Sequence, residues 1–151
     1  MAKNLKEQRY LRILEQLKSL LTKTEDKIAK MATVAAVLKA KQPHFFWCGF
    51  YRVVDGELIV GPYQGSVACQ VLEKDRGVCW HAVNTKKTVI VPDVEKFPGH
   101  IACDSRSKSE IVIPLFNERN EVYAVLDVDS DKLNSFDQID AKYLEEIVKL
   151  I

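Results

Sequence analysis

The sequence predicts an α+β fold, a mainly antiparallel central sheet of about six strands flanked by N- and C-terminal helices. Three observations carry this reading. Helical periodicity is confined to the two ends of the chain. The middle is built of short β-rich runs. Asp55-Gly56, the strongest short hairpin signal, separates two of those runs. The length of 151 residues favours one domain over residues 1–151, with residues 1–42 forming a helical part that packs on the sheet.

The elements follow in order. Tyr10, Ile13, Leu14, Leu17 and Leu21 recur at three- and four-residue steps, which predicts a first helix. Thr22-Lys23-Thr24-Glu25 fits a capping box and opens a second helix reaching Lys41, ended by Pro43. HFFWCGFYRVV and ELIVGPY make a hairpin around Asp55-Gly56, and a third short strand spans Ala68 to Glu73. RGVCWHAVNTKK reads as a short helix after Gly77, and TVIVPDV as a strand. FPGHIACDSRSK is a loop leading into the strand EIVIPLF. NERN turns the chain into EVYAVLDVDS, the last strand. Ser135-Phe136-Asp137-Gln138 fits a second capping box, opening a helix that contains Ile139, Tyr143, Leu144, Ile147 and Val148. This order predicts a sheet covered by helices on one face.

Composition excludes several classes. With 47% apolar and 28% charged residues the chain buries a core, and its formal charge of +1 shows no basic stripe for nucleic acid. No apolar run approaches a membrane span, and the charged N-terminus has no signal-peptide core. These features predict a cytoplasmic protein, whose four cysteines are thiols by default.

Strand alternation sorts the candidate site residues by face. Trp47, Gly49 and Tyr51 share one face of the first strand, either as a packed core strand or as an aromatic recess. Cys48 faces the other way, among apolar neighbours, as a buried structural thiol. Asp127 and Asp129 share one face of the last strand. They are either solvated acids at a strand end or a site for an ammonium group or a metal, since paired carboxylates repel without compensation. Cys69, Cys79 and Cys103 each sit in or beside a loop or turn signal, where a thiol is reactive if a neighbour lowers its pKa. Cys79-x-His81, His100-x-x-Cys103 and Cys69 form a loose zinc-ligand set without a tight pair; the alternative is a redox thiol with resolving partners.

Together, FFWCGFY, GPYQG, RGVC, VPDVEKFPGHIACDSRSKSEIVIPL and VLDVDS resemble the free methionine-(R)-sulfoxide reductases, a group of GAF-fold enzymes. The likeness spans Phe45 to Ser130 and, with the flanking helices, the whole chain. It implies a GAF-like fold and assigns roles by similarity. Cys103 is the nucleophile, Cys69 the main resolving cysteine and Cys79 an accessory. Glu110 engages the sulfoxide oxygen, Asp127 and Asp129 bind substrate, and Trp47 and Tyr51 hold the methylthio end. The sequence departs from the family at Trp80 and His81, where small residues are more usual, and these bulky neighbours are expected to hinder Cys79 in reaching Cys103. The resemblance implies free methionine-(R)-sulfoxide as substrate and no bound cofactor or metal. It also implies a thioredoxin/NADPH system as external reductant and a possible homodimer.

The chemistry is consistent with those roles. The sulfoxide oxygen leaves only once protonated, so an acid is needed close to the attacking thiol. Burial beside two other carboxylates raises the pKa of Glu110 and keeps its proton available. The sulfenic acid formed on the nucleophile condenses with a second thiol, and a dithiol partner then reduces the disulfide. A GAF fold also serves as a non-catalytic small-molecule sensing or binding domain, and that is the alternative function.

Overall fold

The computed structural model describes residues 4–100 and 103–151. Helices α1 (Leu5–Leu20) and α2 (Lys27–Lys41) come first, then the hairpin β1 (Trp47–Val54) and β2 (Glu57–Gln64). Strand β3 (Val71–Leu72), helix α3 (Gly77–Thr85) and strand β4 (Val89–Val91) follow. The chain ends in β5 (Ser109–Phe116), β6 (Val122–Ser130) and α4 (Gln138–Val148). The six strands form one sheet in the order β3-β2-β1-β6-β5-β4, and every neighbouring pair is antiparallel. Asp55 and Gly56 both take positive φ, 51° and 79°, as a tight turn matched to strand twist requires.

Alternation gives each strand two roles. Cys48 and Phe50 of β1, Ile111 and Ile113 of β5, and Leu126 and Val128 of β6 face α1, α2 and α4 in one apolar core. Tyr10, Ile13, Leu14 and Leu17 supply the α1 side of that core, so the N-terminal helix covers its own sheet. The opposite face carries Trp47, Tyr51, Val112 and Val125, and α3 packs there through Val78, Cys79, Trp80 and Ala82. The sheet is therefore covered on both faces, not on one. The single short helix on the second face leaves room for a pocket.

Several boundaries differ from the sequence reading for identifiable reasons. Helix α2 is capped by Asp26, whose side chain accepts from the Ala29 N–H at 2.9 Å, while Thr24 accepts from the Asp26 N–H one turn earlier. Helix α4 is capped by Asp137 with Asp140 completing the box, while Ser135 donates to Ser130 Oγ at 2.7 Å. Polar residues compete for these caps, and the structure uses the later one in each case. The expected strand over 68–73 shrinks to Val71–Leu72, and the rest serves the site. Ile101 and Ala102 of the expected loop lie outside the described residues.

Candidate active site

The site grows from one row of residues running across the sheet. Glu110 on β5 pairs with Asp129 on β6, and Asp129 pairs with Trp47 on β1. In the next row on the same face, Val112 pairs with Asp127, and Asp127 with Gly49. Directly opposed residues on an antiparallel ladder lie about 5 Å apart, so this register forces three carboxyl groups together. It also places them beside the aromatic wall. Trp47 stacks between Tyr51, at 5.9 Å, and Tyr63, at 5.2 Å, and its Nε1–H donates to the Ser66 carbonyl at 3.0 Å. Gly49 permits this closeness, because a Cβ there would lie 2.2 Å from Tyr63 Cβ and 2.9 Å from the Trp47 ring.

The carboxyl cluster is buried. Glu110 and Asp127 are each only 6% exposed, and one oxygen of Asp127, Oδ1, has no hydrogen-bond partner among the described residues. Burial, with Asp129 adding like charge, pushes the Glu110 pKa up to about 8. Burial and Glu110 raise Asp127, and burial and Asp127 raise Asp129. The reading of these acids as solvated groups at a strand end is therefore excluded. His100 joins them from the loop side, its Nε2 3.6 Å from Glu110 Oε1, and burial lowers its pKa.

The cysteines divide into three kinds. Cys69 and Cys103 form a disulfide with a Cα–Cα distance of 5.7 Å. Their segments are also tied by Ser66, which donates to Asp104 at 2.7 Å, and by Tyr51, whose hydroxyl donates to the Cys69 carbonyl at 3.3 Å. Arg106 holds Asp104 through two side-chain nitrogens and its backbone N–H, which keeps that carboxyl far below the usual range, and it stacks over Phe46. Cys79 is not a surface loop thiol. It is buried in α3, and burial, with Asp127 beside it, raises its pKa. Cys48 is fully buried on the helix-covered face.

All eight expected site residues but Cys69 line one cavity of about 50 Å³, room for a few waters. Cys69 reaches it through its bond to Cys103. Trp80 and His81 do not line it. Trp80 packs under Lys74, and His81 meets Phe97 edge-on. Cys79 lies on the buried face of α3 and lines the same cavity as Cys103, which is bonded to Cys69. The zinc set Cys69, Cys79, His81, His100 and Cys103 does not assemble, because two of its thiols are joined and His81 faces away. Three contributors were not assigned from the sequence: Tyr63 as a third ring, Ser66 with Asp104 as a latch, and His100 against Glu110. The GPYQGS and HIACDSRS stretches hold them all, but their pairing is a tertiary fact.

A family model described as GAF domain matches residues 22–151, so fold and site define a GAF domain with a disulfide-bonded cysteine pair beside a pocket. Among curated relatives, GAF domain-containing protein A of Dictyostelium discoideum is 56% identical over 99% of this chain and 94% of its own length. The free methionine-R-sulfoxide reductase of Escherichia coli is 40% identical over 80% of this chain and 73% of its own. The crystal structure of free methionine-R-sulfoxide reductase from Neisseria meningitidis in complex with its substrate superposes with a TM-score of 0.93 at 42% identity, covering 99% of this chain and 90% of that one. The chain belongs to the GAF domain family and, within it, to the free methionine-R-sulfoxide reductases, a family of oxidoreductases.

Proposed function

We propose that this protein reduces free L-methionine-(R)-sulfoxide to methionine, with Cys103 as nucleophile, Cys69 as resolving thiol and a thioredoxin-type dithiol as reductant. The observation that carries this reading is the placement of the Cys69–Cys103 disulfide at the rim of a cavity floored by Glu110, Asp127 and Asp129. In the disulfide form the cavity holds little more than water. The substrate therefore meets the reduced enzyme, in which the Cys103 loop is no longer tied to Cys69.

The reaction follows from these positions. The Cys103 thiolate attacks the sulfoxide sulfur while Glu110 gives its proton to the sulfoxide oxygen. The oxygen passes to Cys103, which becomes a sulfenic acid, and methionine leaves with its sulfur reduced. The proton lost by the Cys103 thiol balances the one given by Glu110. Cys69 then attacks the sulfenic sulfur, water leaves, and the disulfide forms. An external dithiol exchanges with that disulfide and restores both thiols. Asp127 and Asp129 hold the α-ammonium, a group that peptide-bound methionine lacks, and the unpartnered Asp127 oxygen is an open acceptor for it. Trp47 and Tyr51 pack against the methylthio end.

The test is thioredoxin-coupled turnover of both sulfoxide epimers, free and N-acetylated. A charge-assisted hydrogen bond contributes about 1.5–3 kcal/mol, so loss of the ammonium is expected to lower kcat/KM by roughly ten- to a hundredfold. Equal turnover of free and acetylated substrate would reject the ammonium assignment. Tight binding without turnover of either epimer would leave a binding module instead of an enzyme.

A further inference from the structure

We propose that the pocket floor binds a thiophilic divalent cation, Zn²⁺ or Cd²⁺, through Cys79, Glu110 and Asp127, and that this ion excludes the substrate. The three residues offer one sulfur and two carboxylate oxygens, all within 4.8 Å of one another, and all three are buried. Independently, Asp127 is 6% exposed, and its Oδ1 has no hydrogen-bond partner among the described residues around the cavity it lines. A tetrahedral zinc site with about 2.3 Å bonds to sulfur and 2.0–2.2 Å bonds to oxygen spaces its donors roughly 3.5 Å apart. Small side-chain rotations reach that geometry, and a water completes the fourth position.

The donor set selects the ion. One thiolate with two carboxylates suits a borderline or soft cation, whereas calcium takes six to eight oxygens and magnesium prefers an octahedral oxygen shell. A dication also replaces the mutual repulsion of the floor by attraction. Binding is a proton exchange without redox change, in which the Cys79 thiol proton and any carboxyl proton leave to solvent. Affinity therefore rises with pH. The other titratable or charged groups lining the cavity are Tyr51, Asp129, Arg76, His100 and Asp104.

Cys79 lies outside the disulfide, so the sulfur ligand is present in the oxidised protein as well as the reduced one. Exclusion of substrate rests on the ammonium assignment above, since the ion and the ammonium share the Asp127 carboxylate. The metal site itself does not depend on it.

The experiment uses the oxidised protein with Co²⁺ as the probe, because its only free thiols are then Cys48 and Cys79. One equivalent of Co²⁺ is expected to give a thiolate-to-cobalt charge-transfer band that Zn²⁺ displaces. Cys48→Ala keeps the band, since Cys48 lies on the helix-covered face. Cys79→Ser removes it, and Asp127→Asn weakens binding by more than the roughly 10–100-fold seen for outer-shell partners of a metal. Loss of the band in Cys48→Ala, or its absence from the wild-type protein, overturns the proposal even if Cys79→Ser does not fold. In the Cys69→Ser, Cys103→Ser double variant, which has no disulfide to close the cavity, excess free methionine sulfoxide is expected to suppress the band. A band that the sulfoxide leaves unchanged overturns the exclusion of substrate and counts against the ammonium assignment, while the metal site stands.

Discussion

Glu110→Gln separates two consequences of one buried carboxyl. The amide keeps the shape and can donate a hydrogen bond, but it cannot deliver a proton. Loss of a general acid costs about two to four orders of magnitude in rate, or about 3–5 kcal/mol at 1.36 kcal/mol per decade. The second consequence is thermodynamic. Folding moves this carboxyl from an ordinary value of 4.5 to about 8, chiefly by burial. At 1.36 kcal/mol per pH unit this amounts to a penalty on the order of 5 kcal/mol once the group is ionised.

The sign follows from proton linkage. Between about pH 4.5 and about pH 8 the unfolded chain has released the Glu110 proton while the folded protein keeps it. Stability therefore falls as pH rises through that window, and is highest from this group below the unfolded value. The glutamine variant lacks this slope and also relieves Asp127 of a like charge. Urea unfolding of both proteins under non-reducing conditions, at about pH 5 and about pH 8, is expected to show the variant gaining a few kcal/mol on the wild type toward the alkaline end. In the rate profile, wild-type kcat/KM is expected to fall as pH rises past about 8, and the residual activity of the variant should lack that limb. Parallel stability curves across the window would refute the buried, proton-holding Glu110. A raised KM with unchanged kcat would make it a binding residue.

Cys103→Ser is expected to abolish reduction, while Cys69→Ser releases one methionine per enzyme in a single turnover and then stops. Stoichiometric release from Cys103→Ser would reverse the assignment. Gly49→Ala sets a methyl 2.2 Å from Tyr63 Cβ and is expected to cost about 1–3 kcal/mol in denaturation and to raise KM. Wild-type values in both assays would show that the close approach is unimportant. Ser66→Ala removes the 2.7 Å bond to Asp104 and is expected to slow disulfide closure after the first turnover, read as a longer-lived sulfenic acid. Closure at the wild-type rate would show that the latch does not position the loop.

Local patterns carried much of this architecture. The alternation in β5 sends Ile111 and Ile113 to the helices and Glu110 and Val112 to the pocket, and β6 does the same with Leu126, Val128, Asp127 and Asp129. A period of two is enough to read that. It cannot give register, and it is register that sets Glu110 opposite Asp129 and Asp129 opposite Trp47. The Arg76-Gly77 turn signal sets Cys79 beside a loop in the sequence reading. Gly77 indeed takes a φ of 81°, but α3 then carries Cys79 inward. The structure caps its helices with Asp26 and Asp137, and not with the earlier Thr22 and Ser135 that the pattern favours, because TKTED and SFD each offer more than one capping side chain.

The cost of the pocket floor bears on what kind of GAF domain this is. A module that only binds a small apolar or polar ligand needs a recess and a few satisfied hydrogen bonds. Here three carboxyls crowd one face of the central strands, raise one another's pKa values, and leave an oxygen of Asp127 without a partner. Each ionised member lowers stability at neutral pH, so the arrangement is unfavourable to the fold alone. It becomes favourable when a cation neutralises part of the charge and when one proton is held for delivery. The free α-ammonium of an amino acid supplies the first, and a sulfoxide oxygen consumes the second. Cys103 of the disulfide pair lines the same cavity on a segment that Ser66 and Asp104 fasten to its partner, so in the proposed reaction the thiol reaches the sulfoxide sulfur in the cavity where the acid reaches its oxygen.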